Sequence, residues 1–225
     1  MTGTHTQKSL THDLQNLGLA QGDGVWVHAS MRSMGQVSGG AATVIEALQT
    51  TVGAHGLVGM PGFSRDAYAP ADTDYTTLSQ AEIDRIEHAV TGYDIAASPT
   101  EGMGIIAETF RTWPGTIRSA HPTTSVCLNG PDADALIAPH APAWAMGPAS
   151  PFGRMMDRPG MKILLIGVDW TRCIPAKVMP STSATRSDAI NPGRAMRRGW
   201  RCRMLPMTWA GCSQASGPPL KTQAR

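Results

Sequence analysis

The sequence has no long hydrophobic run and no segment typical of secreted or membrane proteins. No apolar stretch in its 225 residues reaches the length of a membrane span. The polar N-terminal stretch Met1–Leu19 lacks the basic and apolar regions of a secretory signal. Because 41% of the residues are hydrophobic, the chain can still bury a core. We therefore expect a globular, cytoplasmic protein that does not bind a membrane.

Cysteine and histidine show no spacing typical of a disulfide framework or a metal site. The four cysteines form no CxxC pair, so Cys127 and Cys173 are expected to be reduced thiols, with Cys127 buried in a strand. The seven histidines include no HExxH motif and no pair four residues apart. The sequence therefore predicts no catalytic metal.

Short strands and helices alternate along the chain, which favours an α/β fold and, by itself, suggests βαβ units. The predicted helices are Ser9–Leu17, Ala41–Thr51, Ile105–Arg111 and Asp132–Ile137, and the predicted strands are Gly24–His28, Leu57–Met60, Thr124–Asn129 and Lys162–Val168.

The most informative stretch runs from Gly104 to Trp170. Within it, a predicted helix is followed by Arg118-Ser-Ala-His-Pro-Thr-Thr-Ser125, which places the imidazole of His121 beside several hydroxyl groups. Because histidine titrates near neutral pH, His121 is a candidate acid/base group. A histidine before proline can also be a turn residue that only bonds the backbone.

A second stretch, Gly24–Gly40, predicts a strand, a polar loop and the start of a helix. The small residues of the loop let a ligand approach the backbone, and Gly39-Gly40 opens the helix with N–H groups that favour an anion such as phosphate. The spacing matches neither the P-loop nor the dinucleotide fingerprint, so an ordinary turn between strand and helix is the alternative.

Together these stretches resemble the aminoglycoside 3-N-acetyltransferase family over about residues 8 to 173. The segments that carry the resemblance, all in the family's order, are Val27–Gly35, Val37–Ala41, Met60–Phe63, Ile106–Phe110, His121–Ser125, Ser150–Gly153 and Lys162–Gly167. The resemblance implies acetyl transfer from acetyl-CoA to the 3-amino group of a 2-deoxystreptamine aminoglycoside, which confers antibiotic resistance. It also implies a central, mostly antiparallel sheet flanked by helices, distinct from the GNAT acetyltransferases.

The resemblance assigns acetyl-CoA to the region from Val27 to Gly40 and to the hydroxyls after His121. The residues expected to contact this co-substrate are His28, Ser30, Met31, Arg32, Ser33, Gly39, Gly40, Thr123 and Ser125. An ammonium group has no lone pair, so a base must remove its proton before it attacks, and His121 is expected to be that base.

Carboxylates are expected around the acceptor, because an aminoglycoside is polycationic. Glu108 is expected to be catalytic, and Asp72, Asp74, Glu101 and Asp169 are expected to bind the acceptor. Glu108, Asp169 or the glutamate that a shifted reading frame would give after residue 173 can orient the ring of His121, and the sequence does not choose among them. The expected partners are the antibiotic and acetyl-CoA, without nucleic acid or membrane.

The composition changes abruptly near residue 173. Residues 1–173 hold ten Lys and Arg against sixteen Asp and Glu, a net charge of −6, whereas residues 174–225 hold nine against one, a net charge of +8. We therefore expect an incomplete acetyltransferase domain over 1–173 and a basic tail of low order over 174–225, without a clean strand or helix pattern.

Two hypotheses account for the tail: a basic arm that binds nucleic acid or an acidic surface, and a shift of reading frame. Taking the third base of each codon with the first two of the next gives Ala across Met179-Pro180 and Gly across Trp209-Ala210, and permissible codons give an acidic, protein-like sequence. We favour the out-of-frame interpretation. The alternatives to an active enzyme are an inactive, truncated relative, an acyltransferase of the same fold for another amine, and a nucleic-acid-binding protein that uses the tail.

Overall fold

A computed structural model describes residues 4–67, 74–169, 195–196 and 200–206. Asp72 lies outside these residues. The helices are α1 Gln7–Asn16, α2 Gly40–Val52, α3 Gln80–Ala89, α4 Ile105–Arg111, α5 Ala133–Ile137 and α6 Pro151–Asp157, with a 3-10 turn at Met31–Met34. The strands are β1 Gly24–Ala29, β2 Leu57–Pro61, β3 Ile117–Arg118, β4 Val126–Asn129, β5 Met161–Ile166, β6 Ala195–Met196 and β7 Trp200–Pro206.

The strands form one mixed sheet in the order β3-β4-β2-β1-β5-β7-β6. Strand β1 is parallel to both of its neighbours, β2 and β5, and β1-α2-β2 is a βαβ unit. The other pairings of described strands, β2 with β4, β3 with β4, β5 with β7 and β6 with β7, are antiparallel. The expected α/β fold with a central, mostly antiparallel sheet flanked by helices is therefore confirmed, with a parallel centre.

Alternate side chains of the strands bury two apolar layers, one on each face of the sheet. On the first face Val25 and Val27 of β1 pack with Val44, Leu48 and other residues of α1, α2 and α4. On the second face Trp26 packs with α5 and α6, and its ring lies 4.6 Å from that of Phe152. Each such side chain contributes roughly 1.5–3 kcal/mol through burial. Helices on both faces leave the ends of the strands as the open parts of the sheet.

Helix α2 begins at a position that requires glycine. Gly39, its N-cap, has φ 80° and ψ 0°, in the left-handed region that side chains disfavour. A Cβ atom at this residue would also overlap the hydroxyl of Thr43 in the first turn. The N–H of Gly40 donates to the carbonyl of Val37 at 3.1 Å, so the N–H groups that follow it in the first turn are the ones that another partner could bind.

Two strands lie in the segment after residue 173, where the sequence pattern indicated none. Strand β7 pairs with β5 over Cys202 to Pro206, and β6 pairs with β7. The sequence pattern alone did not reveal these strands. The physical reason is that the outer side of β5 offers backbone N–H and C=O groups, which an extended segment can satisfy whatever its side-chain pattern.

Within the residues that the structure describes, no helix is long and apolar enough to cross a membrane.

Candidate active site

Four strands bring the two informative sequence stretches to one end of the sheet. Ala29 at the end of β1 pairs with Ile166 at the end of β5, and Pro61 at the end of β2 pairs with Val126 at the start of β4. We call the end formed by these four residues the upper end of the sheet. In open α/β sheets, ligands bind beyond the carboxyl ends of the parallel strands.

The ring of His121 lies at the upper end and is held by its own segment. It is 4% exposed, and its Nδ1 accepts the backbone N–H groups of Thr123 at 3.2 Å and Thr124 at 3.0 Å. Because Nδ1 accepts from two amides, the proton of the neutral ring rests on Nε2, which donates to the carbonyl of Pro142 at 3.3 Å. The orientation of the ring is thus set by backbone groups, as in the alternative in which a histidine before proline is a turn residue that bonds the backbone.

A second histidine, His140, packs against His121 with ring centroids 4.6 Å apart. Its Nδ1 lies 2.8 Å from the hydroxyl of Ser119, and its Nε2 lies 2.7 Å from the carbonyl of Ala145. Burial lowers the pKa of His140, the hydrogen bond to Ala145 opposes this effect, and the neighbouring His121 lowers the pKa further. Sequence reasoning missed His140, because no motif or spacing connects it to His121.

A buried arginine network supports the start of β4. The guanidinium of Arg118 donates to the hydroxyl of Ser125 at 2.9 Å and to the carbonyls of Ser98 and Gly62, and it lies 4.9 Å over the ring of Tyr93. The hydroxyl of Ser125 in turn donates to the carbonyl of Gly62, and Ser125 is fully buried. A contact between acetyl-CoA and this hydroxyl, as expected from the sequence, would require the network to open.

The other residues expected at the co-substrate site divide into exposed and buried groups. Arg32, Ser33 and Gly39 are exposed, and Ser30, Met31, Gly40 and Thr123 are partly exposed. The hydroxyl of Ser33 donates to that of Ser30 at 3.1 Å, and Gly167, just after β5, packs against Ser33. The loops after β1 and β5 therefore meet at the upper end.

His28, by contrast, is 7% exposed and lies within β1. Its Nε2 accepts the indole N–H of Trp26 at 2.8 Å, and the two rings meet edge-on. Because Nε2 already accepts a hydrogen bond from Trp26, a ligand would have to displace Trp26 to bind this nitrogen.

Glu108 is engaged inside the protein. Its carboxylate accepts two hydrogen bonds from Arg111, at 2.7 and 3.1 Å, and the backbone N–H of Thr100 at 2.7 Å. Burial alone would raise the pKa of Glu108, but these hydrogen bonds outweigh it and lower the pKa to about 2. Glu108 is hydrogen-bonded to Arg111 of α4 and to Thr100. His121 is hydrogen-bonded to the backbone of Pro142, Thr123 and Thr124. The two residues thus have different hydrogen-bond partners in the described structure.

The carboxylates expected to bind the acceptor are not gathered in one cluster. Glu101 is exposed and lies 3.6 Å from Arg65, while Asp74 caps Thr76 on the surface and has its pKa lowered by those hydrogen bonds. Asp169 is exposed and follows β5, so it lies at the upper end of the sheet. Of these residues, Asp169 is the one that lies in the segment directly after β5, beside the loop after β1.

Cysteine and metal chemistry find no support at this site within the described residues. Cys127 is buried in β4, as expected, and burial raises the pKa of its thiol to about 12. In the same part of the chain, no group of three or more His, Cys, Asp or Glu residues is arranged to hold a metal ion.

Comparison with known proteins identifies the family. The sequence profile described as aminoglycoside 3-N-acetyltransferase matches residues 26–175, more than half of the chain. The chain belongs to this family. The resemblance seen in the sequence segments is thereby confirmed, and these segments fall on β1, the start of α2, β2, α4, the loop before β4, α6 and β5.

Relatives of known structure and sequence support this assignment. Aminoglycoside N(3)-acetyltransferase III of a Salmonella species is 40% identical over 166 residues, which are 72% of this chain and 56% of the relative. The sisomicin-bound acetyltransferase AAC-VIa is 33% identical with a TM-score of 0.63, covering 74% of this chain and 61% of its own. The CoASH complex of AAC-IIIb is 26% identical with a TM-score of 0.68, covering 93% and 81%. The chain thus spans little more than half the length of the Salmonella acetyltransferase.

Proposed function

We propose that this chain is an aminoglycoside N3-acetyltransferase that uses acetyl-CoA and confers antibiotic resistance. The observation that carries the proposal is the position of His121, a buried imidazole at the upper end of a sheet whose family is that of aminoglycoside 3-N-acetyltransferases. The relatives that bind sisomicin and CoASH support the two substrates. The chain covers 56% of its Salmonella relative, so the activity of the relative does not carry over directly and has to be measured on this chain.

The residues at the start of α2 fit acetyl-CoA. The helix has 13 residues and no side-chain cap at the exposed Gly39, so the N–H groups that follow that of Gly40 in the first turn can bind phosphate or amide oxygens. Arg32 and Ser33 are exposed on the preceding loop and can add charge and hydrogen bonds. When bound, acetyl-CoA supplies an acetyl thioester as the group to be transferred.

His121 is proposed to take the proton that the acceptor amine loses. In the neutral ring Nδ1 accepts from two amides and Nε2 carries the proton. A second proton on Nδ1 ends the hydrogen bonds that the amides of Thr123 and Thr124 donate to it; Nε2–H can keep donating to Pro142, and the hydroxyl of Thr124, 3.0 Å from Nδ1, can accept the new N–H. The imidazolium can therefore form without a carboxylate partner.

Acceptor binding is proposed for the carboxylates at and near the upper end, of which Asp169 is the leading candidate. Asp72, Asp74 and Glu101 remain candidates for attracting the polycation from solution. Glu108 acts in this proposal through its ion pair with Arg111, which supports helix α4.

The proposed location is the cytoplasm, where acetyl-CoA is available, and the proposed partners exclude nucleic acid and membranes. Binding of DNA by the basic tail would appear as salt-dependent affinity that is lost when residues 174–225 are deleted. We expect no such binding.

The test is thiol release from acetyl-CoA by the purified 225-residue chain, with gentamicin-like and neomycin-like acceptors. We expect acceptor-dependent release that falls at least a hundredfold in His121→Ala and stays unchanged in His88→Ala, since His88 is exposed on α3. Release from an unrelated polyamine but from no aminoglycoside would favour an acyltransferase for another amine. No release from folded protein would identify an inactive relative.

A further inference from the structure

We propose that Trp144 is a binding residue for the acceptor, and that the open face of its indole holds an ammonium-bearing sugar ring of the aminoglycoside. The inference rests on the proposed function, because it assigns a contact to the acceptor of that reaction. It is carried by the exposure of the ring, the backbone conformation of Trp144 and the lack of charge in its loop.

Trp144 presents a larger fraction of its side chain to solvent than any other large apolar residue of the described chain. Its exposed fraction is 77%, against 58% for Ile105. By contrast, Trp26 and Trp113 pack into the apolar layers and donate their indole N–H groups to neighbouring side chains. An aromatic face that is left in water can gain free energy by binding a ligand.

The backbone of Trp144 adopts a conformation that is costly for a bulky residue. Its φ is 58°, and it is the one residue other than glycine with a positive φ in the described part of the chain. Such conformations persist where surrounding contacts enforce them, and they cluster at ligand sites. Here the carbonyl of Trp144 accepts the N–H of Gly147 at 2.9 Å, and the carbonyl of Gly147 accepts that of Ser150 at 2.9 Å. These turns fix the direction in which the indole leaves the chain.

Gly147 also supports the indole directly. A Cβ atom on Gly147 would lie 2.5 Å from one ring atom of Trp144 and 2.8 Å from two others, which is too close for any side chain. One face of the ring therefore rests against the bare backbone of Gly147. The opposite face is open to solvent.

The loop between α5 and α6 carries Trp144 to the upper end of the sheet. The carbonyl of Pro142, two residues before Trp144, lies 3.3 Å from Nε2 of His121. The carbonyl of Ala145, one residue after it, lies 2.7 Å from Nε2 of His140. The backbone on both sides of Trp144 is thus tied to buried rings, while its own ring faces outward.

This loop carries no charge that would repel a cation. Residues 138–150 contain no Lys, Arg, Asp or Glu, and burial lowers the pKa of His140, so this histidine is neutral at neutral pH. Arg154, the first cation after the loop, donates to backbone carbonyls, those of Leu136, Pro139 and Ala149. An ammonium group therefore meets an electron-rich indole face without a competing cation.

The acceptor fits this surface better than acetyl-CoA does. Helices α5 and α6 pack on the second face of the sheet, whereas α2, whose start is proposed for acetyl-CoA, packs on the first. Adenine could stack on an indole, but the phosphates beside it need cations, which this loop lacks. An aminoglycoside carries ammonium groups on its sugar rings, and tryptophan is the best aromatic side chain for holding them.

Three substitutions separate the contributions of the ring. Trp144→Phe keeps a smaller aromatic face, Trp144→Leu keeps an apolar side chain without one, and Trp144→Ala keeps neither. We expect the KM for the aminoglycoside to rise roughly five- to tenfold in Leu and Ala and about twofold in Phe, with the KM for acetyl-CoA within about twofold of wild type. His88→Ala, an exposed histidine on α3, is the control that should leave both KM values unchanged.

A second readout does not depend on acetylation. Acrylamide quenches exposed tryptophans, so the difference in quenching between wild type and Trp144→Phe reports on Trp144 alone. We expect an excess of gentamicin or neomycin to shield Trp144 from acrylamide, and acetyl-CoA to leave it accessible. Shielding without thiol release would refute the proposed function and leave the inference standing.

Three results would overturn the inference. The first is the absence of shielding by either aminoglycoside, whatever the thiol release, or shielding by acetyl-CoA in its place. The second is a wild-type KM for the aminoglycoside in Trp144→Leu, because that side chain has no aromatic face. The third is a parallel loss of kcat, of binding of both substrates and of thermal stability in Trp144→Ala, which is the signature of a tryptophan that only supports its loop.

Discussion

The hydroxyl oxygen of Thr124 lies 3.0 Å from Nδ1 of His121, and the backbone N–H of the same threonine lies at the same distance. One residue therefore serves both charge states of the ring. The amide donates to the neutral imidazole; when a proton on Nδ1 ends that hydrogen bond, the hydroxyl can accept from the imidazolium.

Removing this hydroxyl is expected to lower the rate without disturbing the neutral ring. In Thr124→Val the amide donor remains, but the imidazolium loses an acceptor, so kcat should fall roughly tenfold or more, in line with about 1.5–3 kcal/mol for a hydrogen bond to a charged group. Thr124→Ser keeps the hydroxyl and should retain most of the activity. Thiol release measured for both variants checks this, and equal rates in Val and Ser would contradict the role of the hydroxyl.

The buried guanidinium of Arg118 is expected to contribute strongly to stability. Arg118→Lys keeps a positive charge but cannot reach the carbonyls of Ser98 and Gly62 and the hydroxyl of Ser125 together. The free energy of unfolding should fall by about 2–4 kcal/mol, since buried acceptors are left unpaired. Urea denaturation measures the loss.

The matched control is Arg85→Lys on the exposed helix α3, where the arginine donates to its own helix. Its effect should stay within about 0.5 kcal/mol. A similar loss in both variants would mean that the buried network adds nothing specific.

The strands of the sheet centre could be predicted, while some other elements could not. Strands β1, β2, β4 and β5 are runs of apolar residues buried on both faces, which leave a clear sequence pattern. Helix α3 has no buried residue and hence no apolar stripe, and β3 is two residues long. The sequence pattern predicts burial, so elements without it escape prediction.

The candidate site follows the same division. The motif around His121 predicted the residue, and the fold places it at the upper end, but whether a polar side chain is already engaged by the protein is a property of tertiary contacts. Ser125 and Glu108 show this, because their side chains already accept hydrogen bonds from Arg118 and Arg111, respectively. Their expected roles with ligands stay predictions, and His140 was accessible only from the structure.

Glu108 is expected to make the protein sensitive to acid. Its pKa is lowered from 4.5 to about 2, so its stabilising effect is complete above pH 4.5 and is lost as the pH falls from 4.5 towards 2. Glu108→Gln should lower the free energy of unfolding at neutral pH by about 1–2 kcal/mol, after allowance for partial exposure. The difference between the two proteins should shrink over this pH window in urea titrations.

Glu101→Gln is the control for this experiment, because the pair with Arg65 is exposed on both sides. It should change stability by less than about 0.5 kcal/mol at any pH. If Glu108→Gln instead leaves stability unchanged and raises the KM for the antibiotic, the carboxylate binds the acceptor as the sequence indicated.

The reading frame of the segment after residue 173 is a prediction about the gene. The charge changes from −6 over residues 1–173 to +8 over 174–225, and with permissible codon choices the shifted reading gives His-Ala-Glu across Val178 to Ser181. We expect sequencing of codons 165–185 to reveal a frame change against the gene of an intact relative. An uninterrupted frame shared by independent clones would refute this.

Strand β7 provides a test of what the segment does for the fold, whatever its frame. It pairs with β5 over five residues, from Lys162 with Pro206 to Ile166 with Cys202, and so covers the outer side of β5. Deletion of residues 195–225 should leave this side of β5 unpaired and increase self-association, which light scattering detects. Deletion of residues 207–225 keeps β6 and β7 and should leave the protein monodisperse. If both truncated proteins scatter light equally, the pairing of β7 with β5 does not protect the sheet, and the outer side of β5 is covered by another part of the chain.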